Sequence, residues 1–384
     1  MKVTENIYNV GTNDRDIDLF EGLYIVPDGI AYNSYVVLDE KITVFDTIDS
    51  RFTDVWLDNI AKVLGDKSPD YLVIEHMEPD HSASIASFVS KYPEAKVVAN
   101  ARIFTMINQF FGNDINYDKL EIKDGDELCT GRHNFKFIAA PMVHWPEVML
   151  AYDTTDRILF SADAFGKFGA LDADEPWDDE ARRYYIGIVG KYGAQVQTLL
   201  KKAAALEIEL ICPLHGPVLS ENLSYYIELY DKWSSYTPEE DGVAIAYTSI
   251  YGNTKKTALL LAEKLRKNGC ENVSIYDLAR DDKYTALADA FRYSKLVLAS
   301  PTYNSEIFPP MRAFIDMLTE RGYKNRTVAI IENGSWAPVA ANLVRKKLAD
   351  SKGIAFAENT VTVKSALSDE SVAAVEALAK ELCS

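Results

Sequence analysis

Apolar residues along this chain gather into short runs, and several runs end at residues that carry chemistry. Tyr71-Leu72-Val73-Ile74 is β-branched and apolar and reads as a buried strand. It leads into the dense polar string His76-Met77-Glu78-Pro79-Asp80-His81. Phe135-Lys136-Phe137-Ile138 leads through Ala139-Ala140-Pro141-Met142-Val143 to His144, and Ile158-Leu159-Phe160-Ser161-Ala162 ends at Asp163. Ile208-Glu209-Leu210-Ile211 leads through Cys212-Pro213-Leu214 to His215. From Asp241 onward the pattern changes to short strands alternating with amphipathic helices. Val243-Ala244-Ile245-Ala246-Tyr247 is one strand, Lys255 to Lys267 a helix, and Leu296–Ala299 and Val328–Ile331 are further strands. The change of pattern predicts two α/β domains, 1–240 and 241–384. The joint falls in the turn-rich stretch Ser234-Ser235-Tyr236-Thr237-Pro238-Glu239-Glu240-Asp241-Gly242.

Four of the 5 histidines stand at the ends of these runs. One histidine at a strand end is usually a satisfied polar residue. Four, together with Glu78, Asp80 and Asp163, make enough ligands for two metal ions if the strand ends converge. His133 is the exception, since the turn Gly131-Arg132-His133-Asn134 predicts a solvated side chain. Imidazole and carboxylate together suit zinc or iron. The 4 cysteines are scattered, with no Cys-x-x-Cys, so the sequence holds no zinc-ribbon, rubredoxin-like or ferredoxin-like ligand pattern. The same scatter argues against a disulfide framework and fits a reducing cytoplasm.

The second domain predicts a different ligand. Thr248-Ser249-Ile250-Tyr251-Gly252-Asn253-Thr254 lies between a strand and a helix N-terminus, where free backbone N–H groups and the helix dipole favour a phosphate. The glycines of a dinucleotide fingerprint and the lysine of a triphosphate loop are both missing, so a monophosphate such as that of FMN fits best. Two more strand-end loops, containing Pro301-Thr302-Tyr303-Asn304 and Asn333-Gly334-Ser335-Trp336, are expected beside it at the carboxyl edge of a parallel sheet. Tyr303 or Trp336 would cover the flavin ring.

Composition narrows the picture further. A length of 384 residues with 48% hydrophobic content supports two full cores, and no apolar run reaches membrane-span length. The net charge of −18 disfavours nucleic acid. That charge is uneven: residues 1–240 carry 41 acids and 21 bases, whereas residues from Asp241 on carry 17 acids and 19 bases. This asymmetry has two readings: a solvated acidic surface on the first domain, or a near-neutral second domain that accepts a small acidic electron carrier more readily than the first.

With both cofactor sites placed, the whole chain resembles the flavodiiron proteins, or A-type flavoproteins. Their architecture is a metallo-β-lactamase-like αβ/βα sandwich followed by a flavodoxin-like doubly wound parallel sheet. The string His76-x-Glu78-x-Asp80-His81, then His144, Asp163 and His215, follows that family's diiron pattern in order and spacing. Glu78 stands where hydrolases of the same fold carry a second histidine, and it makes the site harder and more anionic. The resemblance implies His76, Glu78 and His144 on one iron, Asp80, His81 and His215 on the other, and Asp163 bridging. The loop Glu332-Asn333-Gly334-Ser335-Trp336 departs from the usual arrangement of the family.

The resemblance also implies an activity: reduction of dioxygen to water, of nitric oxide to nitrous oxide, or both, with FMN relaying electrons from a rubredoxin or a reduced deazaflavin. It implies a head-to-tail homodimer, or a tetramer built from it, in which the flavin of one copy faces the irons of the other. The gas pocket is expected to draw on Phe20-Glu21-Gly22-Leu23-Tyr24 and on the stretch from Arg183 to Tyr192. Tyr192 is taken as the candidate catalytic residue and dioxygen as the favoured gas. The competing expectation is a metal-dependent hydrolase joined to a flavodoxin-like electron carrier.

Overall fold

The computed structural model describes residues 1–112 and 115–383. The chain forms two compact units, Met1–Tyr184 with Ala194–Tyr230, and Tyr185–Gly193 with Asp231–Ser384.

The first unit is a sandwich of two mixed sheets. One has six strands in the order Ile7–Asn9, Tyr35–Val37, Thr43–Phe45, Tyr71–Val73, Lys96–Ala99 and Lys119–Glu121. The other has five, in the order Glu127–Cys129, Asn134–Ala139, Met149–Asp153, Ile158–Phe160 and Leu210–Cys212. Their inner faces share one core, in which Phe45 of the first sheet stacks on Phe160 of the second at 4.2 Å and meets Phe135 edge-on at 5.0 Å. Each such fully buried phenylalanine contributes about 1.5–3 kcal/mol.

This topology decides where the ligands go. Thr43–Phe45, Tyr71–Val73 and Lys96–Ala99 run parallel. In the second sheet Ile158–Phe160 is parallel to Leu210–Cys212 and antiparallel to Met149–Asp153, which is antiparallel to Asn134–Ala139. The carboxyl ends of Asn134–Ala139, Ile158–Phe160 and Leu210–Cys212 therefore share one edge. Those are the ends that lead to His144, Asp163 and His215.

The second unit is a parallel sheet in the order Val273–Asp277, Glu240–Tyr247, Tyr293–Tyr303 and Thr327–Asn333, the last pairing with both Ala355–Phe356 and Val361–Val363. This is the doubly wound order of flavodoxin-like sheets, with its switch point between the first and third strands in sequence. Leu261 and Leu265 of the helix Asn253–Lys267 and Val375, Leu378 and Leu382 of the helix Asp369–Leu382 belong to one buried core with the sheet. No helix among the described residues is long and apolar enough to cross a membrane.

Two expectations are corrected. Cys270 and Cys383, 113 residues apart, form a disulfide with Cα atoms 5.9 Å apart. The two helices end side by side, which no spacing in the sequence reveals. His133 is not solvated: it is fully buried, with Nδ1 2.8 Å from Asp153 Oδ2. Burial lowers its pKa, but the hydrogen bond and charge of Asp153 outweigh that and raise it above the ordinary value.

Candidate functional site

The ligand string is bent into place by its backbone. After the strand Tyr71–Val73, Asp46 Oδ1 accepts from the amides of Glu75 and His76 at 2.9 and 3.2 Å. Pro79 then opens the short helix Pro79–Ser82, a position where its missing N–H costs nothing. Thr47 fixes the far end through two 2.8 Å bonds, from its amide and its hydroxyl, to His81 O. The turn bearing His215 is held by Tyr35 Oη on Pro213 O at 2.7 Å and by Asn33 Nδ2 on Pro213 O and Gly216 O.

The seven candidate ligands fall into two adjoining clusters, His76–Glu78–His144–Asp163 and Asp80–His81–His215. In the first, His144 Nε2 lies 3.0 Å from Glu78 Oε2 and 3.1 Å from Asp163 Oδ2, and His76 Nε2 lies 3.3 Å from both. In the second, His81 Nε2 lies 3.0 Å from His215 Nε2 and 3.3 Å from Asp80 Oδ2. Asp163 spans both, since its other oxygen, Oδ1, is 3.2 Å from His81 Nε2.

These separations test whether metal fits. Ligands bonded at about 2.0–2.2 Å to one ion stand about 3 Å apart. His76 Nδ1 is engaged by Glu147 and His215 Nδ1 by the Ala31 carbonyl, at 2.9 and 2.8 Å. A neutral ring that donates from Nδ1 presents a bare lone pair at Nε2. Asp80 Oδ1 and Oδ2 and Asp163 Oδ1 are buried with no hydrogen-bond donor. Acceptors turned on one another in a buried space require cations between them. The residues present fit two metal ions.

The surroundings are aromatic. Phe20 and Tyr184 each place their ring centroid 5.5 Å from that of His215, and Trp145 lies edge-on to His76 at 5.3 Å. Burial pushes the Tyr184 hydroxyl well above its ordinary value, and Asp163, Glu78, Asp80 and Glu21 push it further. Glu21, in the hairpin loop expected near the pocket, has its carboxyl pushed up to about 8 by burial and by the neighbouring Glu78. Tyr192 lies in the segment Tyr185–Gly193 that belongs to the second unit, so the site as built within the first unit does not include it. Sequence reasoning passed over Glu147, whose buried Oε1 accepts from both His76 Nδ1 and the Met77 amide. Burial raises the Glu147 pKa, but His76 holds it below the ordinary range.

In the second unit the three expected loops line one cleft of about 560 Å³. Ser249, Ile250, Tyr251, Asn253 and Thr254 come from the first, residues 301–304 from the second, and residues 333–336 from the third. Thr248 is buried beneath the cleft, 3.5 Å from Ser300 Oγ. Gly252 caps the helix in the left-handed region (φ 90°) with no side-chain cap bond, so the helix N-terminus is left to a ligand. Ser365 also lines the cleft and was not foreseen; its hydroxyl pairs with that of Ser335 at 2.7 Å.

Comparison with known proteins agrees with this geometry. Residues 30–216 match the family model described as ODP family beta lactamase. An uncharacterised protein of Methanocaldococcus jannaschii is 31% identical over 82% of this chain and 80% of its own length. An anaerobic nitric oxide reductase flavorubredoxin of Vibrio vulnificus is 28% identical over 91% of this chain and 72% of its own. Among solved structures, the flavodiiron protein from Giardia intestinalis superposes with a TM-score of 0.91 at 26% identity, over 99% of this chain and 96% of that one. The rubredoxin oxygen:oxidoreductase of Desulfovibrio gigas gives a TM-score of 0.91 at 24% identity, over 100% of this chain and 97% of that one.

Proposed function

The chain belongs to the flavodiiron protein family, and from that premise we propose that it reduces dioxygen to water, nitric oxide to nitrous oxide, or both, using two iron ions and FMN. The observation that carries the reading is the convergence of seven buried ligands into two clusters joined by one carboxylate. His76, Glu78 and His144 would hold one iron and Asp80, His81 and His215 the other, with Asp163 contributing to both. Glu78, in place of an imidazole, adds the negative charge that favours iron over zinc. Iron held there would supply electrons to the gas, and FMN in the cleft would renew them from the donor.

The chain's own side chains do the rest. The carboxylates and imidazoles fix which coordination positions stay open. Phe20, Tyr184 and Trp145 keep bulk water from the ligands, and the Tyr184 hydroxyl is the proton-bearing group set among them. Tyr192, the candidate catalytic residue read from the sequence, belongs to the second unit, and Tyr192→Phe tests its part in the reaction by the ratio of rates with the two gases. The cleft takes FMN, with the phosphate at the free helix N-terminus after Gly252. A separate carrier, a rubredoxin or a reduced deazaflavin, supplies electrons. A head-to-tail homodimer brings the flavin of one copy to the irons of another.

The test is metal and flavin analysis of the purified protein, followed by anaerobic kinetics with dioxygen and with nitric oxide from one reduced donor. Two irons and one FMN per chain, with consumption of either gas and faster turnover of dioxygen, are expected. Protein carrying only zinc and hydrolysing esters without reductant overturns the reading. Full turnover by a monomer overturns the dimer.

A further inference from the structure

The four ligand imidazoles do not receive equal support from behind. His215 donates from Nδ1 to a neutral backbone carbonyl, Ala31 O, at 2.8 Å. His81 Nδ1 has no hydrogen-bond partner. His76 Nδ1 meets a carboxylate, Glu147 Oε1, at 2.9 Å, with both side chains fully buried. Among the described residues no lysine or arginine pairs with Glu147, and its Oε2 has no partner. Its charge is therefore directed at His76.

Glu147 is itself held firmly. Its carbonyl accepts from Asn100 Nδ2 at 2.8 Å, the Pro146 carbonyl accepts from Arg102 at 3.1 Å, and the next residue but one, Met149, donates from its amide to Glu75 O at 3.0 Å. The same Oε1 accepts from the Met77 amide at 3.0 Å, so one oxygen sets both the ring of His76 and the backbone that follows it. Trp145 closes the ring from the side.

We propose that Glu147 is a positioning residue that fixes His76 as the Nδ1–H tautomer and makes the two metal positions unequal. The His76–Glu78–His144 position gains a carboxylate hydrogen-bonded behind its imidazole, whereas neither ring of the Asp80–His81–His215 position has one so bonded, and the charge of buried Asp46 acts on both His81 and His76. A carboxylate behind a ligating imidazole raises its basicity and fixes its orientation. The first position thus binds a cation more tightly and favours the higher oxidation state. This rests on the two-metal reading above.

The experiment uses full-length Glu147→Gln, which keeps an acceptor oxygen and removes the charge, and Glu147→Ala, which removes both. Each apo-protein is titrated with Co2+, followed by its visible absorption. One of two binding steps is expected to weaken by about 10-fold in Glu147→Gln and about 100-fold in Glu147→Ala, with the other step unchanged. In iron-loaded Glu147→Gln the diiron midpoint potential rises. FMN content and the thermal melt show whether each variant has folded, and Glu147→Gln alone decides the outcome should Glu147→Ala fail to fold. Unchanged binding and potential in Glu147→Gln, or equal weakening of both steps, overturns the inference. Wild-type protein that takes up Co2+ in two steps but is isolated without iron refutes the diiron reading alone.

Discussion

His81 and His215, separated by 134 residues, bring their Nε2 atoms to 3.0 Å of each other inside the first unit. With His215 donating from Nδ1 to Ala31 O, its Nε2 offers a lone pair toward the other ring, where a cation would take a ligand from each. Removing one ring should therefore empty one metal position and leave the other. His215→Ala is expected to lower metal content from two ions per chain toward one. Loss of a group behind a ligand typically costs 10–100-fold in affinity or activity, so loss of the ligand itself should lower gas turnover by more than about 100-fold. Elemental analysis with an oxygen-electrode assay checks this; retention of both metals would show that the pair is not a ligand set.

Gly166 is required by the site at close quarters. A Cβ on it would lie 2.9 Å from Asp163 O and 3.3 Å from His215 Cβ, and the first of these contacts is with backbone that cannot swing aside. The Gly166 amide also donates to that same Asp163 carbonyl at 3.0 Å. Gly166→Ala is expected to destabilise the apo-protein by about 1–3 kcal/mol, as overpacking does. It should also weaken metal binding by shifting the shared carboxylate. Urea melts of the metal-free protein, set beside metal stoichiometry, separate the two effects.

The sequence showed the four ligand histidines and Asp163 because each lies in the segment that follows an apolar strand, His81 in the short helix Pro79–Ser82, and the strand ends are brought together by sheet topology. The cleft of the second unit was visible for the same reason, since a doubly wound sheet collects its carboxyl-end loops at one edge. Glu147 was hidden because it follows an ordinary Trp145-Pro146 turn and meets His76 from 71 residues away. His133 was misread because a Gly-Arg-His-Asn turn looks polar, while the partner that buries it, Asp153, lies on the neighbouring antiparallel strand opposite Phe135. Cys270 and Cys383 were misread because only the packing of two helices brings their ends together. What was missed depends on pairs that neither period nor spacing links.

The His133–Asp153 pair gives stability a pH dependence away from the metals. Burial favours neutral His133, but Asp153, Asp156 and Asp39 favour the imidazolium, and its folded pKa is raised above the ordinary 6.5. Arg132, 3.5 Å from His133 Nε2, is the nearby cation, and it is bound to Asp156. A raised folded pKa contributes stability that is fully present below 6.5 and is lost as pH rises through the folded value. Asp153→Asn keeps an acceptor and removes the charge, so its cost should be about 1.5–3 kcal/mol at acid pH and shrink as pH rises. Melts of wild type and variant between about pH 5 and pH 9 check the sign; a cost that grows with pH would contradict it.

Tyr251 and Trp336 stand at the cleft of the second unit with 93% and 92% of their surface exposed, far more than any other large apolar side chain there. Exposed aromatic rings beside a cleft await a flat partner, since covering them removes apolar surface from water and adds stacking of about 0.5–1.5 kcal/mol. Tyr251→Ala and Trp336→Ala should each weaken FMN binding by about 10-fold, the equivalent of 1.4 kcal/mol. Ser249 acts differently: its hydroxyl accepts from the Gly252 amide at 3.0 Å and so shapes the loop at the free helix N-terminus. Ser249→Ala should weaken FMN more than riboflavin, because only FMN carries the phosphate that the helix end receives. Fluorescence titration of the flavin-free protein with both ligands separates ring from phosphate, and equal weakening for FMN and riboflavin in Ser249→Ala would place the phosphate elsewhere.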